Sequence, residues 1–302
     1  MDRPRRRSRC FSAGLSVDQE QRPKERLAQT AFYAGCMATY PPEHHLLRDL
    51  QPQAEWVSDD ECIFTAPVVP QTRSATGALA LGPMFAVTDL ALISTAIGFA
   101  DGDWCGTLDL AIRSGQPIVD GPLVVACQVV RIGGTLITTK AELLDGDRLA
   151  GTAIATSRRM PRNPDFNDAP PDEKVVGTIQ HWGRASSGFT LPVNDQLGLT
   201  ELAPGAVELA KTPYVTNSFG TVNGGTSGIL LCAGAESALG GEFVATDIEV
   251  RYIGQAAEGP VRTMSEIIRV ERDHAVVDVT AVDMSRERRP IATAGVTLTL
   301  LA

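Results

Sequence analysis

No apolar run in this chain is long enough to cross a bilayer, and the longest candidate is interrupted by Asp89. Aromatic residues make up only 5% of the 302 residues, so apolar burial must rest on aliphatic side chains. There is no C-x-x-C pair, and Cys10, Cys36, Cys62, Cys105, Cys127 and Cys232 are scattered. The histidines His44, His45, His181 and His274 show no metal-ligand spacing, so no metal site is expected. Unpaired cysteines suit a reducing compartment, and a cytoplasmic location is expected. G-x-S-x-G is missing, which disfavours a serine hydrolase of the nucleophile-elbow type. G-x-G-x-x-G is missing too, and no nicotinamide or other cofactor is expected.

What is present is acidic and globular. The net charge is −9, yet the first nine residues, MDRPRRRSR, hold five arginines and one aspartate. The rest is more acidic still and a poor match for nucleic acid, whose phosphates call for Lys and Arg. The basic start reads as a disordered tail rather than a secretory signal. Residues 1–50 are therefore expected to be an N-terminal extension, partly disordered, with a short helix.

Two stretches share one plan. In the first, a strand-like run at 54–69 leads through RSATGALALG to residues 83–100, PMFAVTDLALISTAIGFA, apolar around its whole circumference as a buried helix is. Four strand candidates follow, at 107–114, 122–132, 135–145 and 148–158, with Gly-Gly and Asp-Gly-Asp as hairpin turns. In the second, residues 205–217 lead through SFGTVNGG to the helix-like 226–241, and four strands follow at 245–254, 259–272, 274–285 and 290–301. SATGALALGPMFAVTD aligns without a gap over NSFGTVNGGTSGILLC, pairing Gly77 with Gly220, Gly82 with Gly225 and Asp89 with Cys232. The Pro- and charge-rich residues between the halves read as a linker.

This constellation resembles the hot-dog thioesterase superfamily, in particular its PaaI-like and 4-hydroxybenzoyl-CoA thioesterase-like members. The family's loop–helix signature runs Asn, Gly, His-Gly-Gly, then an acid seven residues on. Asn217, Gly220, Asn223, Gly224 and Gly225 follow it, with Asn223 in place of the His, and Asp89 stands seven residues past Gly82. Thr107, eighteen residues later, falls where relatives begin a strand with Ser or Thr. The resemblance implies an α+β double hot-dog: two antiparallel β-sheets, each wrapped around a central apolar helix. Its expected parts are 51–160 as the first hot-dog domain, 161–189 as linker and 190–302 as the second. It implies an acyl-CoA substrate and one composite site, with the loop from the second unit and the acid from the first.

In that reading Gly224 offers a backbone N–H at a helix start to the developing oxyanion, with Gly225 as substrate-binding neighbour. Asp89 activates water or attacks the thioester. Asn217 hydrogen-bonds near the water or thioester, Asn223 contacts the carbonyl, and Thr107 holds the water. Each has a structural alternative: a tight loop for Gly224 and Gly225, a solvent-facing acid for Asp89, a loop cap for Asn217 and an ordinary strand residue for Thr107. The reciprocal site, with Ser74, Ala80, Leu81 and Cys232, is expected to be dead unless Glu236, one turn on, serves it. Arg113 and Arg251, at matching strand positions, are candidates for CoA phosphates. A homodimer is a possible assembly. The rival reading is a non-catalytic acyl-CoA-binding or scaffold protein of the same fold.

Overall fold

The computed structural model describes residues 40–161, 174–183, 188–285 and 287–301. Residues 1–39 of the expected extension, with the basic start, Cys10 and Cys36, lie outside the described residues. The described elements begin with a short helix, α1, Leu46–Asp49.

The expected pair of sheets is corrected by the structure to a single sheet of thirteen strands, in the order β7-β1-β2-β4-β5-β6-β3-β10-β13-β12-β11-β9-β8. The strands are β1 Gln53–Trp56, β2 Glu61–Ala66, β3 Trp104–Ser114, β4 Leu123–Ile132, β5 Leu136–Asp145, β6 Arg148–Met160 and β7 Ile179–His181. The second series is β8 Thr200–Ala203, β9 Ala206–Leu209, β10 Phe243–Tyr252, β11 Val261–Val270, β12 His274–Asp283 and β13 Arg289–Leu300. The order of β2-β4-β5-β6-β3 is repeated in reverse by β10-β13-β12-β11-β9, and β3 and β10 join the two series edge to edge. Pairing removes two open edges that would otherwise invite association. The seam register is symmetric about Ala111↔Glu249, with Arg113 opposite Asp247 and Arg251 opposite Asp109.

Two further differences from the sequence reading concern the first half. The run at 54–69 is a hairpin, β1 and β2, because Ser58, Asp59 and Asp60 break it. Part of the expected linker is structure: β7 pairs with β1, so residues 179–181 form the sheet's edge.

Two long helices run against the sheet, α2 at Leu81–Ile97 and α4 at Gly224–Ala238, with the short α3 at Val193–Gln196 between them in sequence. Each long helix packs on its own half's strands and on the other long helix. α2 is buried on nearly every side, and its internal hydroxyls are satisfied by bonding back one turn: Thr88 donates to Met84 O at 2.8 Å and Thr95 to Ala91 O at 2.8 Å. Glycines set the helix–helix distance. A Cβ on Gly225 would stand 2.7 Å from Ala86 Cα, and one on Gly82 would stand 3.2 Å from Ile229 Cα. This close crossing lays the start of α4 across the middle of α2, where Asp89 is.

Candidate active site

The loops before the two helices are built alike. Ser74 N–H donates to Ala78 O and Asn217 N–H to Thr221 O, each at 2.8 Å. Ala80 N–H donates to Thr72 O at 2.9 Å and Asn223 N–H to Val215 O at 2.8 Å. Gly77 and Gly220 have φ of 80° and 69°, a left-handed conformation that a side chain resists. That is the reason both loops carry a glycine there.

The helix starts then diverge. Asn223 caps α4, its Oδ1 accepting from Gly225 N–H at 2.9 Å and Thr226 N–H at 3.4 Å. Its Nδ2 donates to Tyr40 Oη at 3.3 Å. Ala80 offers α2 no side-chain cap. Gly224, the first residue of α4, lies against Asp89: a Cβ there would be 2.6 Å from Asp89 Oδ2 and 3.2 Å from Tyr252 Oη. Within the described residues no hydrogen bond engages the Gly224 N–H, while its carbonyl accepts from Tyr252 Oη at 2.8 Å.

Asp89 is buried, at 6% exposure. Thr107 Oγ1 donates to its Oδ1 at 3.0 Å. Thr107 reaches it from a β-bulge in β3, between Thr107 and Asp109, where the strand's extra residue turns the hydroxyl inward. Burial pushes the Asp89 carboxyl up to about 6, opposed by bonds from Thr107 and the Gly225 N–H. Of the sequence-predicted residues, Asp89, Thr107, Asn217, Asn223 and Gly224 all line one cavity of about 390 Å³. Gly225 is not among its lining residues; its N–H serves the Asn223 cap and also favours the Asp89 carboxylate, and its missing side chain permits the helix crossing. Asn217 also serves its loop, with Oδ1 accepting from Phe219 N–H at 3.0 Å and Thr221 N–H at 3.2 Å, so the carbonyl end of that amide is committed and only the amino end is left toward the cavity.

Two site residues were not found by the sequence reading. Tyr252 ends β10 and clamps the Gly224 peptide; its counterpart across the seam is Ser114, a contrast the aligned strands already contain. Tyr40 comes from the extension, where nothing periodic marks it. It is held by the segment after it: His45 Nε2 donates to Thr216 O at 2.8 Å, and Leu46 N–H donates to Tyr214 O at 3.1 Å. His45 Nδ1 accepts from Leu47 N–H, and burial lowers the pKa of this imidazole, which is therefore neutral. Burial raises both tyrosines far above the usual phenol value, so each keeps its proton.

The reciprocal residues Ser74, Ala80, Leu81 and Cys232 do not line the cavity. Leu81, buried at 3%, stands where α4 has Gly224. Cys232 is a buried thiol whose pKa burial raises well above the ordinary value. Glu236 accepts from Ala245 N–H at 3.0 Å, serving the bulge of β10. Arg113 reaches Glu249 across the seam at 3.1 Å, and Arg251 meets the same carboxylate along its own strand at 2.6 Å.

Neither any family model nor any curated protein matches this chain. Solved structures do. A Lactobacillus plantarum protein assigned as an oleoyl thioesterase matches with a TM-score of 0.57 at 12% identity, over 81% of this chain and 97% of its own. The 12:0-ACP thioesterase of Umbellularia californica matches with a TM-score of 0.54 at 9% identity, over 80% and 93%. A protein of Alicyclobacillus acidocaldarius with the hot-dog fold matches with a TM-score of 0.52 at 9% identity, over 80% and 93%. At such identities the likeness is one of fold, and the fold is the hot-dog. Among the described residues no helix is long and apolar enough to cross a membrane.

Proposed function

We propose that this protein is an acyl-CoA thioesterase-like hydrolase that cleaves an acyl thioester at one composite site. The observation that carries this is the close approach of the Asp89 carboxylate, on α2, to Gly224, the first residue of α4, in a shared cavity, so close that a Cβ there would stand 2.6 Å from Oδ2. A thioester carbonyl seated at the α4 start would point its oxygen at the Gly224 N–H, which the helix dipole favours. Tyr40 supplies a second donor. Its oxygen already accepts from Asn223, and its own O–H donates to nothing within the described residues, which leaves that proton for the carbonyl.

Asp89, held by Thr107, accepts a proton from water as the water oxygen bonds the carbonyl carbon. The tetrahedral intermediate collapses, the C–S bond breaks, and the proton passes to the departing thiolate. The products are the free acid and the thiol. A carboxylate lifted toward neutral pH is a better base than a solvated one and is still ionised at pH 7.

The test is thiol release from a panel of acyl-CoA thioesters. Turnover by the wild type that is lost in Asp89→Asn, with ligand binding kept, supports the reading. Binding without turnover across the panel points to the non-catalytic acyl-CoA-binding rival.

A further inference from the structure

We infer that the site accepts acyl groups that end in a carboxylate, with Lys174 as the residue that receives it. This rests on the thioester reading above and names its substrate class. The cavity continues past Asp89 along one face of α2, where Ile93 and Ile97 follow at four-residue steps. From Asp89 to Ile97 the helix rises about 12 Å. The facing wall is aromatic. Trp56, Phe64 and Trp182 line it, with the Phe64 and Trp182 rings stacked at 5.4 Å.

Lys174 marks the distal end. Its Nζ stands 4.9 Å from the Trp56 ring centroid and 4.6 Å from that of Phe99, just past the C-terminus of α2. The Trp56 ring itself covers Gly98, where an added Cβ would meet it at 2.5 Å. The ammonium donates one hydrogen bond to Asp59 O. An ammonium has three N–H donors. Among the described residues no carboxylate is within ion-pair range of it, and no other cationic side chain lines the cavity. Among the described residues the cavity therefore has an acid at the chemistry, a hydrocarbon-like path interrupted by Ser94 and Gln180, and one cation at the far end.

An anion on that cation could come from the acyl tail or from the CoA phosphates. The path decides for the tail. A pantetheine arm carries amides that need partners, and the path offers mostly aliphatic and aromatic surface. A CoA diphosphate carries several charges, for which clustered Lys and Arg are the usual match, whereas Lys174 is the one cation among the described lining residues. A single carboxylate on an alkyl chain fits both the path and its end.

The experiment uses the full-length protein and non-hydrolysable S-alkyl-CoA thioethers, one with a decyl tail and one with the same tail ending in a carboxylate. Binding is read by tryptophan fluorescence, since Trp56, Trp104 and Trp182 all line the cavity. The wild type is expected to bind the carboxylate-tailed ligand at least tenfold tighter. Lys174→Met is expected to lose that preference and to keep its affinity for the decyl ligand and for free CoA. Equal binding of the two tails by the wild type overturns the inference, and so does a preference that survives in Lys174→Met. A loss of free CoA binding in the variant would assign Lys174 to a phosphate instead and also overturns it. Decanoyl-CoA and decanedioyl-CoA turnover separates the two readings. Hydrolysis without a tail preference sinks this inference alone; a tail preference without hydrolysis sinks the hydrolase and leaves the binding class standing.

Discussion

The starts of α2 and α4 are built by the same loop, with the same backbone hydrogen bonds and the same left-handed glycine, yet only the start of α4 lines the cavity that holds Asp89. At α4 the first helical residue is Gly224, and the space a side chain would fill is left to Asp89 and Tyr252. At α2 the same position is Leu81, which is buried. The partner position is Asp89 on one side and Cys232 on the other. The bulge in β3 presents the Thr107 hydroxyl to Asp89, while the bulge in β10 presents Ala245 N–H to Glu236. The fold thus supplies two equivalent corners, and a handful of side chains decide that one is a cleft and the other is core. Fold and chemistry separate here, since the backbone alone does not distinguish the corners.

The largest expected effect is at the residue that makes the corners most unlike. Asp89→Asn removes the proposed base and should lower kcat on any turned-over thioester by about 10²–10⁴-fold. In the wild type, kcat/KM should fall as pH drops through about 6, because protonated Asp89 cannot accept a proton. Stability should move the other way. The folded pKa lies above the ordinary 3.8, so the favourable contribution is complete below about 4 and is lost as pH rises through about 6. At pH 8 the buried carboxylate is a net cost of up to about 3 kcal/mol. Asp89→Asn should therefore be more stable than the wild type in urea at pH 8, and the gain should vanish at pH 4. A variant that is inactive and less stable at pH 8 would mean that Asp89 is structural.

Gly224→Ala comes next. Its Cβ would push on Asp89 Oδ2 and displace the carboxylate from the helix start, with an expected loss of about 10²–10³ in kcat, the scale of a lost oxyanion donor. Its counterpart control is Gly82→Ala, which crowds the helix crossing at Ile229 but no cavity residue. That change should lower Tm and leave kcat within about twofold. Equal kinetic losses in the two variants would show that helix spacing, not the cleft, sets the rate. Tyr40→Phe follows. It removes the proposed second donor while keeping the ring beside His45, and a hydrogen bond to a charged group of about 1.5–3 kcal/mol corresponds to about a ten- to hundredfold loss in kcat, with KM nearly unchanged.

Much of this contrast was legible in the sequence. The loop spacing exposed the two glycines with left-handed φ, because a positive φ leaves few other residues to choose from. The lone acid in an apolar helix exposed Asp89, because burying a carboxylate without purpose is costly. What was not legible depended on distant pairing. The seam between β3 and β10 joins strands more than a hundred residues apart, and an alternating strand pattern reads the same whether its neighbour is in its own sheet or in a second one. The short β7 lies in a Pro-rich stretch without alternation. Tyr40 is followed by two prolines and enters the site only because His45 and Leu46 dock the chain on the Asn217 loop. The role of Asn217 itself stayed ambiguous, and the structure shows its oxygen holding the loop.

Glu236 gives the smallest effect and the sharpest control. It is an acid on the α4 face that carries Cys232, and burial raises its pKa as it does that of Asp89. A titration-based reading alone would rank both as candidate bases. Geometry separates them: Glu236 is spent on Ala245 N–H and does not line the cavity in which Asp89 faces the start of α4. Glu236→Gln keeps an oxygen that can accept the same bond, so kcat should stay within about twofold. Glu236→Ala should cost about 1–3 kcal/mol of stability in denaturant unfolding, the range for a buried donor left unsatisfied, again with little change in kcat. A kinetic loss in Glu236→Gln comparable to that of Asp89→Asn would make the two corners equivalent after all, because the only property these acids share is a carboxylate buried on a central helix.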